Sequence, residues 1–276
     1  MPSASPLTVR DDGPVRVLTL SRPDVGNALD ADLVRVLGAA VADAVHAPEV
    51  RAILLAGEGA DFCRGFDVAA LAAASAAGRL EAFFERLSPV LQQTVLRLAE
   101  GPKPTIAAVA GLASGAGFDL ALACDLRVVA DDAAFSTGWA TLGLVPVGGA
   151  PHHLVRLLGA ARARALLLLP DRRVTADEAA RLGLAVETAP RAAVLERALA
   201  LAHRVAAGPA TALRLVKRLL AEDATRSLGD ALEDETTSQR VALADPDAAA
   251  GLASAVVGRP PAFPSAGTPS PAALSK

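Results

Sequence analysis

Short runs of aliphatic residues alternate with longer amphipathic stretches through the first half of this chain, whereas the second half carries helical spacing almost throughout. Strands are predicted at 15–20 (VRVLTL), 51–56, 105–109 and 126–130, each bounded by Gly, Pro, Asp or Ser. The first stops at Ser21-Arg22-Pro23-Asp24, where the restriction on the residue before proline and the loop formers that follow end the strand. Apolar residues at intervals of three and four predict helices at about 30–45, 80–98 and 118–123. Asp30 is placed to cap the first of these, whose apolar face is Leu33, Val36, Leu37, Ala40, Val41 and Ala44. Strand-helix alternation up to about residue 135 predicts an α/β core in which parallel strands are covered by helices. From 151 onward the pattern predicts helices at 152–158, 160–168, 176–182, 191–205, 210–220, 228–241 and 248–257, with no strand signal of similar strength. The chain therefore reads as a core over 7–195 and a helical region over 196–263. The ends, 1–6 and 264–276, have the Pro, Ser, Ala and Gly content expected of disordered termini.

Composition narrows the function classes. A length of 276 residues with 52% hydrophobic residues allows a large buried core, but only 3% are aromatic, so that core is built mainly from Ala, Val and Leu. A net charge of −3 and a pI near 5.8 supply no basic field for a phosphate backbone, and scarce rings argue against base stacking, so nucleic acid is excluded as a partner. No apolar run reaches membrane-spanning length, and residues 1–6 lack the layout of a signal peptide. Cys63 and Cys124 have no C-x-x-C spacing, which points away from disulfides and structural zinc and toward two small buried hydrophobes in a cytoplasmic protein. His152 and His153 start a predicted helix without an accompanying ligand set, so no metal is expected.

Four segments carry the candidate chemistry: LSRPDVGNAL at 20–29, LLAGEGADFCRGFD at 54–67, KPTIAAVAGLASGAGFDLALACD at 103–125 and LGLVPVGGA at 142–150. In this order and at these separations they resemble the crotonase, or enoyl-CoA hydratase/isomerase, superfamily. The resemblance extends from residue 7 to about 263, where RPPAF at 259–263 matches the usual end of the family's last helix. It implies a spiral of ββα units, a helical C-terminal region that builds homo-trimers or hexamers, and a substrate that is a thioester of CoA or of acyl-carrier phosphopantetheine. No prosthetic group is implied.

Carried over residue by residue, the resemblance places two backbone N–H donors at Phe66 and Ala116, where they would hold the thioester oxygen as charge moves onto it. Glycines around Ala116 would let the thioester approach the backbone, and a helix start there would add positive potential. Without the family context, the stretch 111–117, Gly115 included, reads as a tight strand-to-helix turn. Asp67 reads first as a helix cap and second as a carboxylate at the pocket rim. Asp125 reads as structural. Arg22 and Arg64 lie beside loops that usually meet the CoA phosphates and adenine, and Phe263 falls where the family's C-terminal segment often touches a neighbouring subunit's ligand. Pro264 and Ser265 follow it where a basic residue is common.

The departures bear on the reaction. Family hydratases use two glutamates; Asp119 matches the first, one methylene shorter, and Trp139 matches the second. Indole exchanges no proton near neutrality. A third acidic position, used by some isomerases and by aryl-thioester dehalogenases, is Val147, so the aromatic pair Phe66 and Trp139 lacks the nucleophile that dehalogenation needs. Trp139 reads equally as a core or trimer-contact ring and as a pocket wall. One acid/base group, with a pKa raised by desolvation, favours isomerisation, enolate-assisted dehydration or decarboxylation over two-glutamate hydration. The alternatives are a catalytically reduced thioester-binding or assembly protein, and a thioester or C–C bond hydrolase on the same scaffold.

Overall fold

A computed structural model describes residues 5–222 and 226–266. Its main sheet has six strands: β1 (Leu7–Asp12), β2 (Val15–Leu20), β3 (Ala52–Gly57), β4 (Thr105–Val109), β6 (Leu126–Ala130) and β9 (Glu187–Ala189), in spatial order β1-β2-β3-β4-β6-β9. Only the β1–β2 hairpin is antiparallel; the other neighbours run parallel. The parallel strands β3 and β4 are continuous apolar runs and are buried along almost their whole length, as strands covered on both faces must be. A second sheet joins β5 (Leu112–Ser114), β7 (Ala134–Ser136) and β8 (Arg173–Thr175).

Helices fill the crossovers. α1 (Ala31–His46) begins where Asp30 accepts the Leu33 N–H at 2.8 Å, and buries Leu33, Val34, Leu37, Gly38, Val41 and Ala44. It packs on α3 (Leu80–Glu100), while the short α2 (Val68–Ala76) and α4 (Ala116–Ala123) follow the two loops that matter for the site. Beyond them come α5 (Ala150–Leu158), α6 (Ala160–Leu168), α7 (Ala176–Arg181), α8 (Val194–Ala206), α9 (Ala210–Glu222), α10 (Leu228–Leu243) and α11 (Pro246–Val256). No helix among the described residues is long and apolar enough to cross a membrane.

The predicted strands at 15–20, 105–109 and 126–130 coincide with β2, β4 and β6, and 51–56 is offset by one residue from β3. The region after 151 is not purely helical, because β8 and β9 lie within it; at three residues each they are too short to show a period. α8 begins at Val194, next to the boundary expected at 195, buries Ala198, Ala202 and Ala206, and packs on β3, β4 and β6. Past it, α9 is pinned to the core by Lys217, whose Nζ donates to Asp125 Oδ2 at 2.7 Å and to the carbonyls of Leu98 and Lys103. Residues 264–266, expected in the tail, form a 3-10 turn held by Ser265, which bonds Asp247 and Arg51. The rest of that tail, and residues 1–4, lie outside the described residues.

Candidate active site

The segment 63–67 is threaded between two others. On one side Leu29 N–H donates to the Gly65 carbonyl at 2.7 Å and Asp67 N–H donates to the Leu29 carbonyl at 3.0 Å. On the other, Cys63 N–H donates to Leu112 O and Ser114 N–H to Cys63 O. The bonds to Gly65 and Asp67 turn the N–H of the intervening Phe66 away from Leu29, and it meets no acceptor among the described residues. Gly65 has φ +86°, and a Cβ there would stand 2.7 Å from the Ser114 carbonyl and 3.2 Å from the Ala116 nitrogen. Only glycine lets the two loops approach this closely.

The second loop turns at Gly115, whose φ of 52° and ψ of −126° suit glycine alone, and its N–H is fixed to Ser136 O at 3.0 Å. Ala116 is the first residue of α4, so its N–H has no partner within the helix. The free N–H of Phe66, next to Gly65, and the free N–H of Ala116 are thus brought close together at a helix start, where the macrodipole adds positive potential. Gly117 is required for packing: a Cβ would lie 2.1 Å from Cys63 O.

Asp119 stands three residues into α4, on the same face as Ala116, and helical side chains lean toward the N-terminus. It is fully buried. Its Oδ2 accepts the Gly148 N–H at 3.2 Å, while Oδ1 has no protein partner. Burial pushes its pKa up to about 7, opposed by the Gly148 and Ala150 N–H groups. Such a carboxyl group can take and return a proton near neutral pH.

Aromatic rings close the other side. Phe66 meets Trp139 (centroids 5.9 Å apart), Phe83 (6.0 Å) and Phe84 (5.5 Å), all edge to face. Trp139 is buried, and its ring edge lies against Gly115, where a Cβ would be 3.8 Å from Cε2. Val147 is half-buried next to Gly148, and its carbonyl accepts from Gln92 at 3.2 Å. Thus Phe66, Gly115, Ala116, Asp119 and Trp139 converge, with Val147 one residue from the Asp119 contact. Phe83, Phe84 and Gly148 join them without having been singled out in the sequence. A consecutive Phe pair in so aromatic-poor a chain was the available signal.

The remaining candidates sit farther out. Asp67 caps α2 by accepting from Ala69 and Ala70, and it pairs with Arg22 at 3.3 Å. Arg22 is further held by Asp30 at 3.1 Å and by the Ala28 carbonyl. Arg64 bonds Asp61 at 2.6 Å but is 58% exposed, which makes it the more available cation of the two. Phe263 packs on Gly251 of α11, apart from the rings around Phe66. Cys63 and Cys124 are buried thiols whose pKa values burial pushes up to about 12.

A family model described as enoyl-CoA hydratase/isomerase matches residues 10–265. A probable enoyl-CoA hydratase of Rhodobacter capsulatus is 36% identical over 248 residues, covering 90% of this chain and 93% of that protein. A 1,2-epoxyphenylacetyl-CoA isomerase of Escherichia coli is 32% identical, covering 90% and 94%. The crystal structure of a putative enoyl-CoA hydratase from Streptomyces coelicolor superposes with a TM-score of 0.87 at 35% identity, covering 96% of each chain.

Proposed function

The chain belongs to the enoyl-CoA hydratase/isomerase family of the crotonase superfamily, and from that membership we propose that it moves a proton at the acyl carbon of a CoA or acyl-carrier thioester, using Asp119 alone as acid and base. The single observation that carries this reading is the buried Asp119, with one free oxygen and a pKa near 7, beside two unpartnered backbone N–H groups.

The thioester oxygen accepts from Phe66 and Ala116 N–H. Asp119 Oδ1 takes a proton from Cα or Cγ, the C–H electron pair moves into the carbon framework, and negative charge collects on the held oxygen as an enolate or dienolate. The proton then returns from Asp119 to the other carbon, which migrates the double bond. The enolate can instead expel a β-hydroxyl group, which leaves as water with the proton that Asp119 took; and where Cα carries a carboxyl group, departing carbon dioxide leaves its C–C electron pair as the same held enolate, which protonated Asp119 then quenches at Cα. Trp139 matches the position of the family's second glutamate, and an indole there cannot activate water. This favours isomerisation, dehydration or decarboxylation over hydration. CoA phosphates would meet Arg64 before Arg22, whose guanidinium is already held by two carboxylates.

Incubating a panel of acyl-CoA thioesters with the protein in deuterium oxide tests this directly. Deuterium should enter at Cα or Cγ of at least one acyl group, and Asp119→Asn should abolish it. No exchange with any of a broad panel would leave the chain a thioester-binding protein and sink the proposal.

A further inference from the structure

Among the described residues, three buried side-chain polar atoms have no hydrogen-bond partner, and two flank the start of α4: Asp119 Oδ1 and Trp139 Nε1. Asp119 Oδ1 is the proposed proton acceptor, whereas Trp139 Nε1 has no part in that step. An indole N–H can only donate, and burying it without an acceptor is unfavourable, so its persistence here points to an acceptor brought from outside. The ring is 4% exposed. Cε2, the atom bonded to Nε1, lies against Gly115, next to the Ala116 N–H proposed to hold the thioester oxygen.

The backbone that carries the indole is held in place: the Trp139 N–H donates to Thr137 O at 2.7 Å, and its carbonyl accepts from Leu142 and Leu144, both at 3.0 Å. Thr137 is anchored in turn through Oγ1 to the Leu166 carbonyl at 3.0 Å. The chain holds seven Phe, one Trp and no Tyr. Four of those eight rings, Phe66, Phe83, Phe84 and Trp139, form one group beside the Gly115 turn. Rings that could have filled the core anywhere are gathered where they exclude water around a single donor. Such a donor discriminates strongly between a ligand that supplies an acceptor and an isostere that does not.

We propose that Trp139 is a specificity-determining residue, whose indole N–H donates to an oxygen on Cβ of the acyl group, so that the protein selects β-oxygenated acyl thioesters over their methyl isosteres. The inference rests on the thioester reading of the site. Cβ follows from the proposed pose: with the thioester carbonyl on the two backbone donors and Cα at Asp119, an indole bordering Gly115 would meet the next carbon of the acyl group.

Isovaleryl-CoA and 3-hydroxybutyryl-CoA differ by a methyl group in place of the β-hydroxyl. Because Trp139 is the only tryptophan, protein fluorescence reports this one indole. With the wild-type protein, 3-hydroxybutyryl-CoA should bind about tenfold more tightly, as one buried hydrogen bond predicts. It should also red-shift the emission, whereas isovaleryl-CoA should not. By calorimetry, Trp139→Phe should bring the ratio of the two affinities close to one, whatever happens to each. Equal affinities with identical emission in the wild-type protein would overturn the proposal even if the variant does not fold, and so would an undiminished preference in Trp139→Phe. Failure of both thioesters to bind at all would overturn the thioester reading itself, and this inference with it.

Discussion

Asp119 carries two opposed demands, since the burial that tunes its proton affinity also opposes its ionised form. Its folded-state pKa of about 7 lies above the ordinary carboxyl value of 3.8. Below that ordinary value the group is neutral in both the folded and unfolded states. Between it and about 7 the folded chain keeps a proton that the unfolded chain has lost, so this residue's contribution to stability falls as pH rises. Asp119→Asn should therefore match the wild type near pH 3.5 and become progressively more stable up to about pH 7. The gain above that is bounded at about 4 kcal/mol by the size of the shift. Denaturant titrations at pH 4, 6 and 8 check this, and a constant difference would contradict it. The position of Asp119 was legible from its place two residues after Gly117. Its raised pKa through desolvation was expected as well; what covers it was not, because Gly148 and Ala150 lie about thirty residues away in the chain. Trp139 was open between core ring and pocket wall; it is buried, with its ring edge against Gly115.

At the scale of elements, the site depends on how closely two loops pass, and glycines set that distance. Gly65→Ala would drive a methyl group toward the Ser114 carbonyl at a left-handed φ, pushing the Phe66 segment away from the start of α4. Separating one donor from the oxyanion predicts a loss of roughly 100-fold or more in exchange rate, with a stability loss of about 1–3 kcal/mol. Gly183 provides the contrast. It also has positive φ but has nothing within 4 Å of a built Cβ, so Gly183→Ala should cost about 1 kcal/mol and leave the exchange rate alone. Parallel losses in the two variants would contradict this. The buried strands β2, β4 and β6 were legible because five or six residues dominated by Val, Leu, Ile and Ala and closed by turn formers read as strand even with Arg16 and Arg127 inside them. The edge strand β1 was missed because four of its six residues are exposed, and β5, β7, β8 and β9 because three residues cannot display a period.

Across the whole molecule, the C-terminal helices carry apolar side chains that the single chain leaves in water, among them Leu220 (71% exposed), Leu252 and Val256 (87% exposed). The resemblance implies three copies or six, and these are side chains that an interface between copies would cover. Sedimentation should give about 84 kDa, three times 27.9 kDa, or twice that, and Val256→Glu should shift the mass downward; a 28 kDa wild-type species would contradict this. Whatever the assembly, the proposed chemistry has one buried carboxyl group moving a proton to and from a thioester enolate, and the pH dependence of deuterium incorporation into a bound acyl-CoA tests it. Acting as a base, Asp119 should give a rate that rises through a single ionisation near pH 7 and then levels, and Asp119→Asn should remove the rate at every pH. Exchange that survives in Asp119→Asn, or a rate that titrates near pH 4, would contradict it.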